Sequence, residues 1–345
     1  MIRRAFMTTV AAATLALGLA PATATAQEVT LRLHQFLPPV ATVPAKILKP
    51  WGERVEAASD GRIKIEHYDA MSLGGKPPEL VDQAIDGVAD IIMTVVGYTP
   101  GRYPMTEVFE LPFMMTNPVA TSMAFQDLVE TDLQDGEYSA VKVLGAWVHG
   151  PGVIHTDKPV NSVADMEGVK MRGPTRVIND MLKELGAVPV GMPLPAIPEA
   201  LSKGVVNGTV IPWEVTPAIR VAELVGNHTE FSGEEAIYTA TIIMVMNREK
   251  YDSLPDDLKA AIDAESGMKL AEFASTVMWE ADAPAREIAV KNNNNIIQLP
   301  AEEVAKFKEK ARPVTERWIA DMDSKGIDGK ALIERAKGLI EKHGG

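Results

Sequence analysis

No cysteine occurs anywhere in the 345 residues. Its absence removes disulfide cross-links, thiolate nucleophiles, sulfur-ligated zinc and lipid attachment at a thiol in one step. Positive charge is also short, with 34 Lys and Arg against 47 Asp and Glu and a formal net charge of −13. A nucleic-acid binder gathers basic residues on one face, so that class is disfavoured. Past residue 26 no apolar run approaches the roughly 20 residues that span a bilayer. The usual catalytic spacings are missing as well: H-E-x-x-H, G-x-S-x-G, G-x-x-x-x-G-K-[ST] and G-x-G-x-x-G do not occur. Asp321 and Asp323 begin a calcium-loop-like pattern, but Lys325 and Leu332 fill its next and closing ligand positions, so no metal or cofactor is expected. What remains is ordinary globular composition, 46% hydrophobic and 23% charged, long enough for about two domains.

The N-terminus carries a processing pattern. Arg3 and Arg4 precede an Ala-, Leu-, Thr- and Val-rich run over 7–20, and Ala24-Thr25-Ala26 offers a small-x-small cleavage site before Gln27. Residues 1–26 therefore read as a cleaved export signal, the run being too short for a transmembrane anchor. The arginine pair also resembles a twin-arginine signal, although the flanking Ser and Lys of the fuller pattern are missing, so both export routes stay open. Losing Arg3 and Arg4 takes the net charge from −13 to −15. The expected product is an exported, acidic protein that does not itself span a membrane.

One supersecondary pattern occurs twice. A strand over 29–36 leads into a helical stretch over 44–58, with Ile47, Leu48, Trp51 and Val55 on one face and Pro50 expected to kink it. A strand with Ile63 and Ile65, a Gly74-Gly75 turn, a helix lined by Leu80, Val81, Ala84, Ile85 and Val88, and a buried strand over 90–96 complete a βαβαβ unit. The second unit runs from a strand over 169–172 through a helix with Val177, Ile178, Met181, Leu182 and Leu185 on one face, a strand over 188–192, a helix over 195–203 and a strand over 209–212. Two such units predict two doubly wound α/β lobes with mainly parallel sheets, since crossovers between parallel strands are right-handed. Between them, 141–148 and 153–156 read as strands able to cross from lobe to lobe. The C-terminal third is helical. From Ser253 and Pro255 the pattern continues almost unbroken to Asn292, nearly forty residues or roughly 55 to 60 Å at about 1.5 Å each, enough to lie along both lobes, with Pro284 bending it.

Arg172 is the first candidate for a binding role. It ends a predicted strand, and Gly173-Pro174-Thr175 opens a helix, the place where doubly wound sheets bind ligands. A guanidinium there takes a carboxylate with two parallel hydrogen bonds, and the bland alternative is a surface arginine paired to a nearby acid. Trp213, in Ile211-Pro212-Trp213-Glu214, either walls a pocket or plugs its lobe. Phe36, Tyr98, Trp147 and Tyr238 also fall at or near predicted strand ends, and with aromatics at only 6% this clustering points to a cleft with apolar walls. Of the six histidines, His343 lies in the tail and His228 reads as a surface residue. His149 and His155 flank Gly150-Pro151-Gly152. They are either hydrogen-bonded structural residues or a catalytic pair, and no nucleophile or orienting acid accompanies them.

These residues resemble a known family. The strand at 29–36, Gly61-Arg62-Ile63-Lys64-Ile65, Ser72-Leu73-Gly74-Gly75, Gly87-Val88-Ala89-Asp90, Glu110-Leu111-Pro112-Phe113, Lys158-Pro159-Val160, the 166–172 segment ending in Arg172, and the 200–208 segment ending in Asn207-Gly208 are similar to the solute-binding proteins of tripartite ATP-independent periplasmic (TRAP) transporters, of the DctP-like kind. The ordered series covers essentially the whole chain after residue 26. The resemblance implies two α/β lobes joined by a hinge, a long helix along both, a periplasmic location, and closure over an organic acid that is handed to membrane permease subunits. It implies lobe I at 27–149 plus about 239–279 and lobe II at 150–238 plus about 280–345. It also implies that Arg172 pairs with the ligand carboxylate. Members with a second ligand-binding arginine carry it where this chain has Gly152 and Val153, and members that bind 2-oxo acids through a cation use acids near Trp213, where Glu214 stands.

One guanidinium and several aromatic walls suit a monocarboxylate with an apolar or aromatic remainder, and a second carboxylate would be desolvated without a matching cation. Arg102, Arg176 and Arg220 are the cations able to upset that expectation by reaching the cleft. His149 or His155 is expected to donate to a hydroxyl or oxo group, which favours 2-oxo or hydroxy acids. The competing reading is an exported enzyme acting on a small organic acid through the same histidines.

Overall fold

The computed structural model describes residues 27–345, so the export-signal reading of 1–26 lies outside the described residues. Among them, eleven strands form two sheets. The strands are β1 (Val29–Gln35), β2 (Ile63–Tyr68), β3 (Ile91–Val95), β4 (Val141–Val148), β5 (Val153–Thr156), β6 (Lys170–Gly173), β7 (Val188–Gly191), β8 (Gly208–Ile211), β9 (Asn227–Phe231), β10 (Thr241–Asn247) and β11 (Asn295–Leu299). The first sheet has the order β2-β1-β3-β10-β4 and the second β11-β9-β5-β8-β6-β7.

Both βαβαβ units form as the apolar periodicity predicts. β1 pairs in parallel with β2 and with β3, and β6 pairs in parallel with β7 and with β8. All five residues of β3 are buried, as a strand covered by helices on both faces must be. The expectation of mainly parallel sheets needs one correction. Each sheet contains a strand supplied across the lobe boundary that runs against its neighbours: β10 is antiparallel to β3 and β4, and β5 is antiparallel to β8 and β9. β4 and β5 thus carry the chain from the first lobe to the second through 149–152, and β9 and β10 carry it back through 232–240.

Pro50 acts as expected. It has no N–H to give the carbonyl one turn earlier, and the stretch divides into a π-helical turn, Pro44–Leu48, and an α-helix, Lys49–Ala58. The predicted forty-residue helix is divided too. Asp256–Asp263 ends before Gly267, whose φ of 64° lies in the left-handed region, and a new 24-residue helix, Met268–Lys291, follows with Pro284 inside it. At about 1.5 Å per residue that helix still reaches about 36 Å. It starts against Pro118–Leu128 and β4 of the first lobe and ends just before β11 of the second, making a third crossing. Ala301–Ser324 packs on the second lobe's Arg176–Glu184. The final helix, Gly329–Lys342, departs from the expected division by returning to the first lobe. It packs on Pro118–Leu128, where Lys342 and His343 meet Asp127 at 2.5 and 3.2 Å.

The lobes are closed on each other. Thr175 Oγ1 donates to Glu110 Oε2 at 2.6 Å, Arg176 pairs with Glu107, and the Leu194 N–H donates to the Tyr98 hydroxyl at 3.0 Å, each bond joining one lobe to the other. The third crossing is anchored by a close approach at Gly145 of β4. A Cβ there would lie 2.7 Å from Leu270 Cδ2 and 3.0 Å from its Cγ. Gly145→Val should therefore lower stability by about 1–3 kcal/mol in denaturant unfolding, through overpacking. An unchanged unfolding midpoint would mean that the helix start is free to move away from the strand.

Candidate functional site

The anchor lies in the buried part of β6. Lys170 points to solvent while Met171 and Arg172 are buried, and Arg172 is only 1% exposed. Its Nε donates to the Met192 carbonyl at 2.8 Å and its Nη1 to the Val210 carbonyl at 3.3 Å, so neighbouring strand ends orient the guanidinium. The Tyr98 hydroxyl takes a third bond, and since arginine carries five N–H donors, two are left for another partner. The Tyr98 hydroxyl lies beside the guanidinium, and burial pulls the Arg172 pKa down. Among the described residues no carboxylate lies within 4.0 Å of Arg172. An unpaired buried charge costs several kcal/mol, and an anion in the adjoining space removes that cost.

The adjoining space is an interlobe cavity with mostly apolar lining and a few convergent polar groups, the composition of a small-molecule site. Phe36, Val43, Met93, Val95, Ile211 and Val215 supply apolar wall, and the interlobe helix contributes Met278. The polar groups are Tyr98, His149, Arg172, Glu214 and Tyr238. Phe36 and Tyr98 meet edge to face at 5.4 Å. Tyr238 is buried with its hydroxyl unpartnered, and burial pushes its pKa up. Its ring occupies the space above Gly152, where an added Cβ would lie 2.0 Å from Tyr238 Cε1. Glycine at 152 is thus what lets Tyr238 lie against the crossing segment. Arg102, Arg176 and Arg220 are engaged elsewhere, by Asp82, by Glu107 with Asp321, and by Glu223.

Phe36, Tyr98, His149, Arg172, Glu214 and Tyr238 therefore meet at one cavity, and two expected residues do not. Trp213 stands between Pro212 and Glu214, which line the cavity, but it lies in the bend after β8 and turns to the other side, toward Val153 and Glu230. Its indole N–H donates to Glu230 Oε1 at 2.8 Å, and its ring packs with Val153, Ala285 and Ala289. His155 is drawn to the same side. Its Nδ1 meets His228 Nδ1 at 2.7 Å, its Nε2 meets the Ile211 carbonyl at 3.2 Å, and Trp213 lies against its ring at 5.0 Å. His228 is fully buried in this cluster, which corrects its reading as a surface residue. Trp147 is fully buried in the core. Sequence reasoning missed the part played by Glu110. It accepts from Thr175 across the lobes and from the Thr241 N–H and hydroxyl at 3.0 and 2.8 Å. An acid inside the apolar run Val108-Phe109-Glu110-Leu111 was the available signal.

Glu214 and Asp282 form a buried acidic pair. The Glu214 N–H donates to Asp282 Oδ1 at 2.7 Å, and the Glu214 carboxyl bonds Thr42 of the first lobe. Burial first, and Asp282 second, push the Glu214 pKa up to about 8. Burial raises Asp282 to about 7, and burial likewise raises Glu110 to about 7. At neutral pH Glu214 is largely protonated, so it does not serve as a counter-ion for Arg172. Among the described residues no group of three or more His, Asp or Glu is arranged to hold a metal ion.

These pKa values set a pH dependence with a definite sign. A carboxyl raised in the folded state keeps its proton where the unfolded chain has lost it, so stability falls as pH rises toward the folded pKa. Buried histidines with lowered pKa act in the opposite direction, but only below their unfolded value near 6.5. Between about pH 6.5 and 8 the carboxyls dominate, and unfolding free energy should fall, with Glu214 contributing about 1–2 kcal/mol. Glu214→Gln should flatten that slope in melts recorded across the window. An identical slope in the variant would place the Glu214 pKa near its ordinary range.

The geometry has counterparts among known proteins. The family model described as DctP, bacterial extracellular solute-binding protein family 7, matches residues 37–321. A TRAP solute-binding protein from Rhodoferax ferrireducens T118, solved with copurified benzoate, is 48% identical with a TM-score of 0.90, and the match covers 91% of this chain and 98% of that one. A marine metagenome TRAP solute-binding protein specific for aromatic acids, solved with 3-hydroxybenzoate, is 46% identical with a TM-score of 0.90, covering 92% of this chain and all of that one. A third, from Bordetella bronchiseptica with bound (R)- and (S)-mandelate, is 30% identical with a TM-score of 0.84, covering 91% of this chain and 99% of that one. Its two closed lobes, its crossing strands and the matching family model together show that this chain belongs to the DctP family of TRAP solute-binding proteins.

Proposed function

We propose that this protein captures an aromatic monocarboxylate in the periplasm and hands it, unreacted, to TRAP permease subunits. The observation that carries this reading is Arg172, a buried guanidinium with no carboxylate partner among the described residues, facing a mostly apolar cavity closed between the lobes. Two of its N–H donors, both on the Nη nitrogens, remain for a carboxylate. The rest of the ligand meets Phe36, Val43, Met93, Val95, Ile211 and Met278, a lining that rewards an aryl group and offers nothing to a second charge. Benzoate, 3-hydroxybenzoate and mandelate, bound by the three related structures, all fit that description. No helix among the described residues is long and apolar enough to cross a membrane, and delivery through separate permease subunits accords with that.

Dicarboxylates should bind far more weakly. Tyr238 fills the space above Gly152, and the three arginines that might have approached are paired with acids, so a second carboxylate would be buried without a cation.

Titration calorimetry with benzoate tests the anchor. Arg172→Ala should weaken binding by about 2–5 kcal/mol, the range for removing one partner of a buried charge pair. Arg172→Lys should not restore it, because a point charge lacks the planar fork and the bonds to Met192 and Val210. Near-wild-type affinity in a folded alanine variant would remove Arg172 from the site. Succinate binding more tightly than benzoate would overturn the monocarboxylate reading.

A further inference from the structure

His149 begins the crossing from β4 to β5 and stands on the cavity wall. Two bonds determine which ring nitrogen carries its proton. Nδ1 lies 2.6 Å from the Gly150 carbonyl, which is only an acceptor, so Nδ1 must donate. The Thr239 hydroxyl lies 3.3 Å from Nδ1, but its single proton is committed to the His149 carbonyl at 2.8 Å. Thr239 is therefore also an acceptor toward the ring. The neutral ring then bears a bare lone pair at Nε2, and burial, which lowers the His149 pKa to about 4, keeps it neutral at physiological pH.

That lone pair has no donor among the described residues. The hydrogen bonds of His149 all involve Nδ1 or its backbone, Nε2 is not among the sealed unpartnered atoms, and the residue lines the cavity. Arg172 lies close enough for its charge to act on the ring, and Tyr238 meets the ring edge to face at 5.5 Å. The cavity thus offers N–H donors for a carboxylate and, a short distance away, an acceptor that only an O–H or N–H group can satisfy. This reverses the expectation that His149 donates, and His155, turned into the Trp213 cluster, has no part in it.

We infer that His149 Nε2 accepts a hydrogen bond from a hydroxyl of the bound acid, which makes aromatic hydroxy monocarboxylates the preferred ligands over their oxo, ether and unsubstituted analogues. This inference rests on the monocarboxylate reading of the Arg172 cavity. An oxo or methoxy group brings a second acceptor against the lone pair, and an unsubstituted ring leaves the lone pair buried and unmatched. A site built around one hydrogen bond discriminates strongly against ligands that lack the partner.

The test is titration calorimetry at pH 7.5 with two matched sets: mandelate against phenylglyoxylate, and 3-hydroxybenzoate against 3-methoxybenzoate and benzoate. In the wild type at least one hydroxy acid should bind about 10-fold or more tightly than its partners. His149→Phe, which keeps an aromatic ring in place, should bring that set to within about threefold. A second measurement needs no variant. In ¹⁵N spectra of histidine-labelled protein, Nε2 should show the pyridine-type resonance of the Nδ1–H tautomer and shift on adding the preferred hydroxy acid, with little change on adding benzoate. Equal affinities throughout both sets, a hydroxyl preference that survives in His149→Phe, or an Nε2 resonance that ignores the hydroxy acid would each overturn the assignment. If benzoate still binds in an Arg172-dependent manner while the preference is absent, only the hydroxyl assignment fails. If none of the five acids binds, both readings fall.

Discussion

A guanidinium held out of water without a counter-ion governs this structure. Arg172 is oriented by two backbone carbonyls, which hydrogen-bond it without neutralising it. Its charge is stabilised fully only when an anion occupies the neighbouring space, so the protein retains an unfavourable term that its ligand removes. That term must be tolerated by the rest of the fold. β8, which pairs with β6, is buried throughout, and so are β3 and β10 of the first sheet, which contribute Met93, Val95 and Ile242 to the cavity.

The same constraint explains the acids nearby. A carboxylate close to Arg172 would satisfy it permanently and block ligand binding. The buried acids of the interlobe region are instead turned to hydroxyls and backbone N–H groups: Glu110 to Thr175 and Thr241, Glu214 to Thr42, Asp282 to the Glu214 N–H. Burial raises their pKa values to between about 7 and 8, so at neutral pH Glu214 is largely protonated and Glu110 and Asp282 are about half so. Thr175 illustrates the arrangement. It stands at the N-cap of Arg176–Glu184, yet its hydroxyl goes to Glu110 in place of capping the helix.

Polar chemistry is divided between the two sides of the second sheet. Toward the cleft lie Arg172, Glu214 and the crossing residue His149; away from it, Trp213, His155 and His228 form a packed cluster tied to Glu230, which also pairs with Arg286 of the interlobe helix. One cluster lines the cavity and the other fastens the third crossing to its sheet. The two histidines of the His149–His155 segment thus have opposite surroundings although only six positions separate them.

The amino-acid sequence by itself determined the two βαβαβ units, because apolar periodicity and Gly or Pro punctuation are local properties, and it placed Arg172 at a strand end next to a helix start. It also marked the polar groups of the cavity: Tyr98, His149 and Tyr238, with Phe36 of the wall, were readable from positions at or near strand ends, and Glu214 through the family resemblance. Tertiary structure decided the rest. Which way the chain turns past a strand end is invisible to periodicity, so Trp213 and Glu214, adjacent in the bend after β8, were sorted only by tertiary packing. The insertion of β10 between β3 and β4 pairs Thr241 with Val148 across more than ninety residues, and the final helix returns to Asp127 from the far end of the chain. Such contacts depend on surfaces that exist only after both lobes have formed. The protonated nitrogen of His149 is the finest case, since it is chosen by a carbonyl one residue away and a threonine ninety residues away, and only their meeting leaves an acceptor facing the ligand.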